Sequence, residues 1–307
     1  MSGRVVGLDV GGTKIAAGWI EDDVFVLGDE QATRTDAGAD GLLAQLVEMI
    51  GAARGPGIGG VGLGVPSVIE WTSGRVKSSV NIPLRDVPLR HELEERLDLP
   101  VFVDNDATVA ALAEAHDGTR FTVRDLVMFT VGTGVGGGLV IGGRVFRGRT
   151  GAAGELGHML VGLGLEEGVP PPAEHPPQPG SLESLAAGKV LDRLAHGQLG
   201  LSGREVVHRA LAGDGEAAAL VRLLGERLGI GIANAINTFD PEEVVIGGGL
   251  AAAGDVLLEP AARVAREYVL PGVGEETTIR LARHDDAGVR GAALLAALEL
   301  EQGGAHG

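Results

Sequence analysis

The sequence contains no cysteine. Disulfides, thiolate zinc sites, iron–sulfur clusters and a cysteine nucleophile are thereby excluded, since each needs a thiol sulfur. Aromatic residues are scarce, with six Phe, two Trp and one Tyr in 307 residues, and 25 Lys and Arg stand against 42 Asp and Glu for a net charge of −17. Nucleic-acid binding draws on a Lys/Arg surplus and, for single strands, on aromatic platforms, so this balance argues against nucleic acid as a partner. No apolar run approaches the roughly 20 residues of a membrane-spanning helix. Met1-Ser2-Gly3-Arg4 leads straight into a short apolar strand with no charged leader, and the reading is a cytoplasmic protein without a membrane partner.

Glycine is what the chain has in excess. There are 52 glycines, well above the usual level of about 7%, with no triplet period. A compositional bias toward Gly, Ala and Arg accounts for part of this. The rest gathers in turns, two of which follow short apolar runs: Val5-Val6-Gly7-Leu8-Asp9-Val10-Gly11-Gly12-Thr13-Lys14, and Phe129-Thr130-Val131-Gly132-Thr133-Gly134-Val135-Gly136-Gly137-Gly138. Each reads as a strand feeding a loop whose bare amides can approach an anion. An acidic protein needs such local shielding, or a metal ion, to hold a polyanionic ligand. A nucleotide held by two loops is the reading this suggests.

The chain is long enough for two medium α/β domains or one large one, and 44% apolar content supplies the core. Strands are expected at Arg4 to Val10, Ile15 to Ile20, Val24 to Gly28, Ile58 to Val65, Pro100 to Val103, Leu126 to Val131, Gly138 to Ile141, Val244 to Ile246 and Thr278 to Ala282. Helices are expected at Asp40 to Ala53, Pro88 to Leu97, Ala107 to His116, Leu182 to Ala195, Glu205 to Leu211, Glu216 to Asn237 and Gly288 to Glu299. Pro170 to Gly180 carries too many prolines for regular structure and reads as a loop. A boundary falls near Asp117-Gly118-Thr119, which places an N-terminal lobe at 1–118 and a larger C-terminal lobe at 119–287.

Several residues have the chemistry of a site. Gly132, Gly134 and Gly137 satisfy a dinucleotide fingerprint, but that fingerprint opens a helix and Gly138-Leu139-Val140-Ile141 reads as a strand. Asp9, at a strand tip beside the first loop, either holds Mg²⁺, directly or through water, or stabilises the turn. Asp104-Asn105-Asp106 stands where a strand meets a helix, so an acid there is either a helix cap or a general base at the carboxyl end of a strand. Glu155, His158 and Glu183 follow the second loop, each with a plain alternative as a salt link or a first-turn helix acid.

Taken in order, Leu8 to Lys14, Val103 to Ala107, Thr133 to Gly138, Gly154-Glu155-Leu156-Gly157-His158 and Asp240-Pro241-Glu242-Glu243-Val244-Val245-Ile246-Gly247-Gly248-Gly249 resemble the ROK family of sugar kinases, particularly its bacterial glucokinases. The resemblance implies an α/β actin-like ATPase fold, ribonuclease H-like, with two lobes flanking a cleft and a final helix, about 288–302, returning to the N-terminal lobe. By that analogy Asp9, Gly11, Gly12, Thr13, Lys14, Thr133 and Gly134 hold ATP phosphates and Mg²⁺, and Gly248 and Gly249 border the adenosine. Asp106 matches the general base; Asn105, Glu155, His158, Glu183 and Asn81 match sugar-binding residues. The implied activity is phosphorylation of glucose by ATP, in a homodimer or higher oligomer. Alternatives are a kinase for fructose, mannose or an N-acetylhexosamine, or an inactive sugar-binding regulator. A repressor branch would carry an N-terminal helix-turn-helix, whereas here the first strand begins near Arg4. Polyphosphate is a second conceivable donor.

The departures from the family pattern fall beside the expected sugar site. The family's cysteine-rich zinc motif is replaced by a proline-rich stretch, with Ser181 at the last cysteine position, so no zinc site is expected. Thr108 stands where Asn is commoner, and Pro66-Ser67 replaces Pro-Gly.

Overall fold

The computed structural model describes residues 4–53, 55, 57–79, 81–165 and 168–304, with side chains to 301. The reading of Met1 to Gly3 lies outside the described residues. In chain order the strands are β1 (Arg4–Val10), β2 (Lys14–Glu21), β3 (Val24–Ala32), β4 (Ile58–Val65), β5 (Ser67–Glu70), β6 (Arg75–Ser79), β7 (Arg85–Val87), β8 (Val101–Asn105), β9 (Leu126–Val131), β10 (Val135–Val140), β11 (Glu243–Gly247) and β12 (Thr278–Leu281). The helices are α1 (Gly38–Ala53), α2 (Leu89–Leu97), α3 (Asp106–Ala115), α4 (Leu182–Ala186), α5 (Gly188–Leu199), α6 (Gly203–Leu211), α7 (Gly215–Phe239), α8 (Asp255–Tyr268) and α9 (Ala287–Gly304).

The chain divides into two compact units. The first comprises 1–124, 138–154 and 283–307, and the second 125–137 and 155–282. Residues 119–124, 138–154 and 283–287, which the sequence reading assigned to the C-terminal lobe, therefore group with the first unit. The chain passes from one unit to the other inside β10, between Gly137 and Gly138.

The first unit is built on a five-stranded sheet in the order β3-β2-β1-β4-β8. Strands β1, β4 and β8 run parallel, and β2 and β3 extend the sheet as antiparallel hairpins. The inner strands are buried on both faces, as parallel strands under helices require. On one side α1 and α2 bury Leu42, Leu46, Ile50, Leu89 and Leu93 against Leu8, Leu63 and Val103. Val109 and Leu112 of α3 form a second cluster with α9 residues Ala293 to Ala297 and with Val5 and Ile20. The short sheet β5-β6-β7 follows β4 directly. Its strands were not expected, because three to five residues carry too few repeats to show a period.

The second unit has a sheet in the order β10-β9-β11-β12, with β9, β11 and β12 parallel. Helix α7 is buried along most of its length. Its Gly225 and Gly229 lie against Leu257 and Ala261 of α8, and Gly231 lies against Leu182. Helix α8 was not expected from the sequence, and Pro260 inside it is the reason. Leu257, Ala261, Val264 and Ala265 nonetheless follow the 3.6-residue period and are all buried. The expected helix Leu182 to Ala195 is two: α4 ends at Ala186, Ala187 is extended, and α5 starts at Gly188.

Among the described residues, no helix is long and apolar enough to cross a membrane.

Candidate active site

In the first unit, strand register brings the acidic candidates to one level. Gly64 of β4 pairs with Asp9 of β1 on one side and with Asp104 of β8 on the other. Asp9 and the Asp104-Asn105-Asp106 run therefore stand at the carboxyl ends of parallel strands, two strand spacings or about 10 Å apart. This end of an α/β sheet is where ligands are commonly bound.

The three residues of the Asp104 run have different tasks. Asp104 is buried at 2% exposure and faces inward, where its Oδ2 accepts from Arg147 Nε at 2.7 Å. Arg147 also pairs with Glu299 at 3.4 Å and stacks over Trp71, 3.4 Å from the ring centre. Burial pushes the Asp104 carboxyl up, against the pull of Arg147 and the Asn105 amide. Asn105 is the helix cap, its Oδ1 accepting from the Ala107 and Thr108 amides, while its Nδ2 donates to the Ser67 carbonyl at 3.4 Å. Neither Asp is the cap: the amide oxygen of Asn105 reaches the unpaired N–H groups of the first turn. Asp106 is the first residue of α3, half-buried, with Oδ1 accepting from the Ala107 amide at 2.9 Å.

Asp9 lies against the start of α9. A Cβ on Gly288 would come within 2.3 Å of its carboxylate, so only glycine admits it there. Burial, with Asp106 adding to it and Lys14 pulling the other way, raises the Asp9 carboxyl to about 7. Lys14 is committed to Glu30, at 2.6 Å. Protein cations therefore offset the Asp9 charge only in part, and a hydrated divalent cation carrying phosphate fits beside it. Among the described residues no group of three or more His, Asp and Glu forms a metal cage. That is compatible with Mg²⁺, which takes few protein ligands and keeps waters and phosphates.

The turn that follows Asp9 is tight: the Gly11 amide donates to the Lys14 carbonyl at 2.8 Å, and the Thr33 hydroxyl donates to the Gly11 carbonyl at 2.7 Å. Asn81 lies over it, with its carbonyl oxygen 2.8 Å from where a Gly12 Cβ would stand. Asn81 and Thr13 are exposed.

The second unit carries a counterpart turn between β9 and β10, where the Gly132 amide donates to the Gly134 carbonyl at 2.9 Å. Its neighbours differ. Glu183, in the first turn of α4, accepts from the Val135 amide at 2.9 Å with one oxygen and from Lys189 Nζ at 2.7 Å with the other. Burial works to raise its carboxyl, but Lys189, the Val135 amide and His158 together hold it below the usual range. The Gly188 amide, at the start of α5, donates to the Gly132 carbonyl at 2.7 Å.

Beside this turn is a cavity of about 490 Å³, lined among others by Gly132, Thr133, Lys189, Arg204 and Gly249. The amino terminus of α5, Lys189 and Arg204 bring positive charge to its lining, which also holds Asp192 and the glycines Gly132, Gly188, Gly203 and Gly249. These residues fit a nucleoside triphosphate.

Glu155 and His158 flank a short 3₁₀ turn, both exposed, with His158 Nε2 3.8 Å from Glu155 Oε2. The proline-rich stretch leads into Ser181, buried, which caps α4 by accepting from the Ser184 amide. Ser181 thus anchors the helix that bears Glu183.

The structure groups Asp9, Gly11, Gly12, Thr13, Lys14, Asn81, Asn105 and Asp106 in the first unit, and Thr133, Gly134, Glu155, His158, Glu183, Gly248 and Gly249 in the second. Arg147, Lys189 and Gly288 were not singled out from the sequence. A lone cation or glycine carries no periodic or motif signal, and only the fold shows its partners.

The ROK family profile matches residues 5–299. The chain belongs to the ROK family. A glucokinase from Halalkalibacterium halodurans is 39% identical over 251 residues, covering 76% of this chain and 74% of that protein. An N-acetyl-D-glucosamine kinase from Escherichia coli is 35% identical, covering 94% of this chain and 98% of its own. The solved structure of a ROK family glucokinase from Streptomyces griseus, in complex with glucose and AMPPNP, matches with a TM-score of 0.80 and 31% identity, covering 96% of this chain and 100% of that one. The fold is the actin-like ATPase fold, and the chain is a hexokinase-type phosphotransferase.

Proposed function

We propose that this ROK protein transfers the γ-phosphoryl group of ATP to the 6-hydroxyl of glucose. The observation that carries the reading is the placement of Asp106 at the carboxyl end of β8, close enough to Asp9 to raise its pKa. A general base must be a carboxylate within reach of the acceptor hydroxyl and near the charge it helps to move. Asp106 takes the proton of that hydroxyl. Asn105 and Asn81 of the first unit, and Glu155, His158 and Glu183 of the second, are assigned to the sugar hydroxyls.

The Gly11 to Thr13 turn, through the amides of Gly12 and Thr13, is assigned with Lys14 to the transferring phosphate, and Thr133 and Gly134 to the remaining phosphates. Gly248 and Gly249 border the nucleoside. Mg²⁺ held at Asp9, directly or through water, would supply charge neutralisation to the phosphates. Positioning and electrostatics then carry most of the rate, as in other phosphoryl transfers. The soluble, cytoplasmic homo-oligomer that the family resemblance implies belongs to the same proposal, and sedimentation measures its size.

A second reading, an N-acetylhexosamine kinase, is favoured by the rebuilt surroundings of Asn105. Ser67, in place of glycine, has a buried hydroxyl with no hydrogen-bond partner among the described residues, and Thr108 is buried beside the cap. Activity across glucose, mannose, fructose and N-acetylglucosamine, with ATP and with polyphosphate, separates the readings. Asp106→Asn tests the mechanism: phosphoryl transfer is lost while glucose binding persists, and near-normal turnover in the folded variant contradicts the assignment.

A further inference from the structure

Lys189 belongs to two neighbourhoods at once. Its ammonium is 2.7 Å from Glu183 Oε1, and its side chain lines the 490 Å³ cavity assigned above to the phosphoryl donor. It is 44% exposed, so the ion pair is open to competition from solvent and ligand. Glu183 is more enclosed, at 17%, and its other oxygen is fixed on the Val135 amide of the second glycine turn. A Cβ on Gly134 would stand 2.4 Å from that oxygen, so turn and carboxylate are built against each other.

We propose that Lys189 couples donor binding to sugar binding by exchanging partners. With the cavity empty, Lys189 occupies Glu183 Oε1. A triphosphate in the cavity offers more negative charge than one carboxylate and draws the ammonium toward itself. Oε1, still held in place through the Val135 contact of Oε2, is then open to accept from a sugar hydroxyl. Donor thus raises sugar affinity, and by linkage sugar raises donor affinity equally. Lys189 is in this sense a positioning residue, acting on the sugar through Glu183. The inference rests on the assignment of the cavity to the donor and of Glu183 to the sugar.

The experiment is calorimetric titration of glucose, with and without saturating AMPPNP and Mg²⁺, on the wild-type chain, Lys189→Met and Lys189→Arg. In the wild type, AMPPNP is expected to tighten glucose by about fivefold or more. In Lys189→Met, glucose binds more tightly than to the wild type when nucleotide is absent, AMPPNP binds more weakly, and the coupling factor falls to about one. Lys189→Arg keeps the charge and retains coupling. A structural role for Lys189 would instead weaken glucose binding in Lys189→Met with or without nucleotide, and that result overturns the proposal. So does an unchanged coupling factor in Lys189→Met. Failure of the wild type to bind AMPPNP at all overturns the donor assignment and the proposal with it, so the two failures are told apart.

Discussion

The two glycine turns are alike in backbone and opposite in surroundings. Each is a hairpin turn closed by an amide-to-carbonyl bond, from Gly11 to Lys14 in the first unit and from Gly132 to Gly134 in the second. The first has an acid at its root, Asp9, whose carboxyl burial and Asp106 push up to about 7. The second has its acid, Glu183, neutralised by Lys189 and an amide. A loop whose carboxylate is only partly offset suits a site completed by a cation, and a loop with a paired carboxylate beside a cavity lined by Lys189 and Arg204 suits an anion. Two copies of one backbone device have thus been given complementary electrostatics.

The largest effect expected is at the acceptor side. Asp106→Asn lowers kcat by about 10²- to 10⁴-fold in a coupled kinase assay, while glucose binding changes little. The support beneath that side comes next. Arg147→Met leaves Asp104 buried without its cation and costs about 3–5 kcal/mol of stability by urea denaturation, the range for breaking one partner of a buried pair. An equal or greater stability than wild type would show that the Arg147, Asp104 and Glu299 cluster is dispensable.

Alanine at the two turns sharpens the contrast. In Gly134→Ala the new methyl meets the end of a side chain, Glu183, which can swing away; stability falls by less than about 1 kcal/mol while the KM for glucose rises. In Gly12→Ala the methyl meets the Asn81 main-chain oxygen, which cannot swing, and stability falls by about 1–3 kcal/mol. The reverse ranking in thermal melts would break the comparison.

A further effect is a pH dependence at Asp9. Because its carboxyl is raised from 3.8 to about 7 in the folded chain, the native state holds the proton more strongly than the unfolded one. The stability this group contributes is complete below the unfolded value and is lost as pH rises through about 7. Asp9→Asn is therefore more stable than wild type at pH 8, with the gap closing toward pH 4 and narrowing when Mg²⁺ and nucleotide are added at pH 8. A constant difference in Tm across that range contradicts it.

Much of the fold was legible because its elements are long and periodic. Strands β1, β4 and β9 and helix α7 carry continuous apolar runs or faces, and their expected bounds match within a few residues. Helix α8 was hidden by Pro260, and the β5-β6-β7 sheet by brevity. The passage between units falls at Gly137 and Gly138, glycines that read as a turn in the sequence and are continuous strand β10 in the fold. At the site, motifs pointed to the residues but not to their partners. The division of labour within Asp104-Asn105-Asp106 into anchor, cap and half-buried acid depends on Arg147, 43 residues away in sequence. Lys189 was invisible until α4 and α5 separated at Ala187 and brought its ammonium back to Glu183.

The most direct test of the account is to supply the purified chain with Mg²⁺-ATP and glucose and follow the products by ³¹P NMR. The account predicts stoichiometric loss of the ATP γ-phosphate and growth of a glucose 6-phosphate resonance, abolished in Asp106→Asn. Release of inorganic phosphate alone, or no turnover with any hexose while sugar still binds, would contradict it.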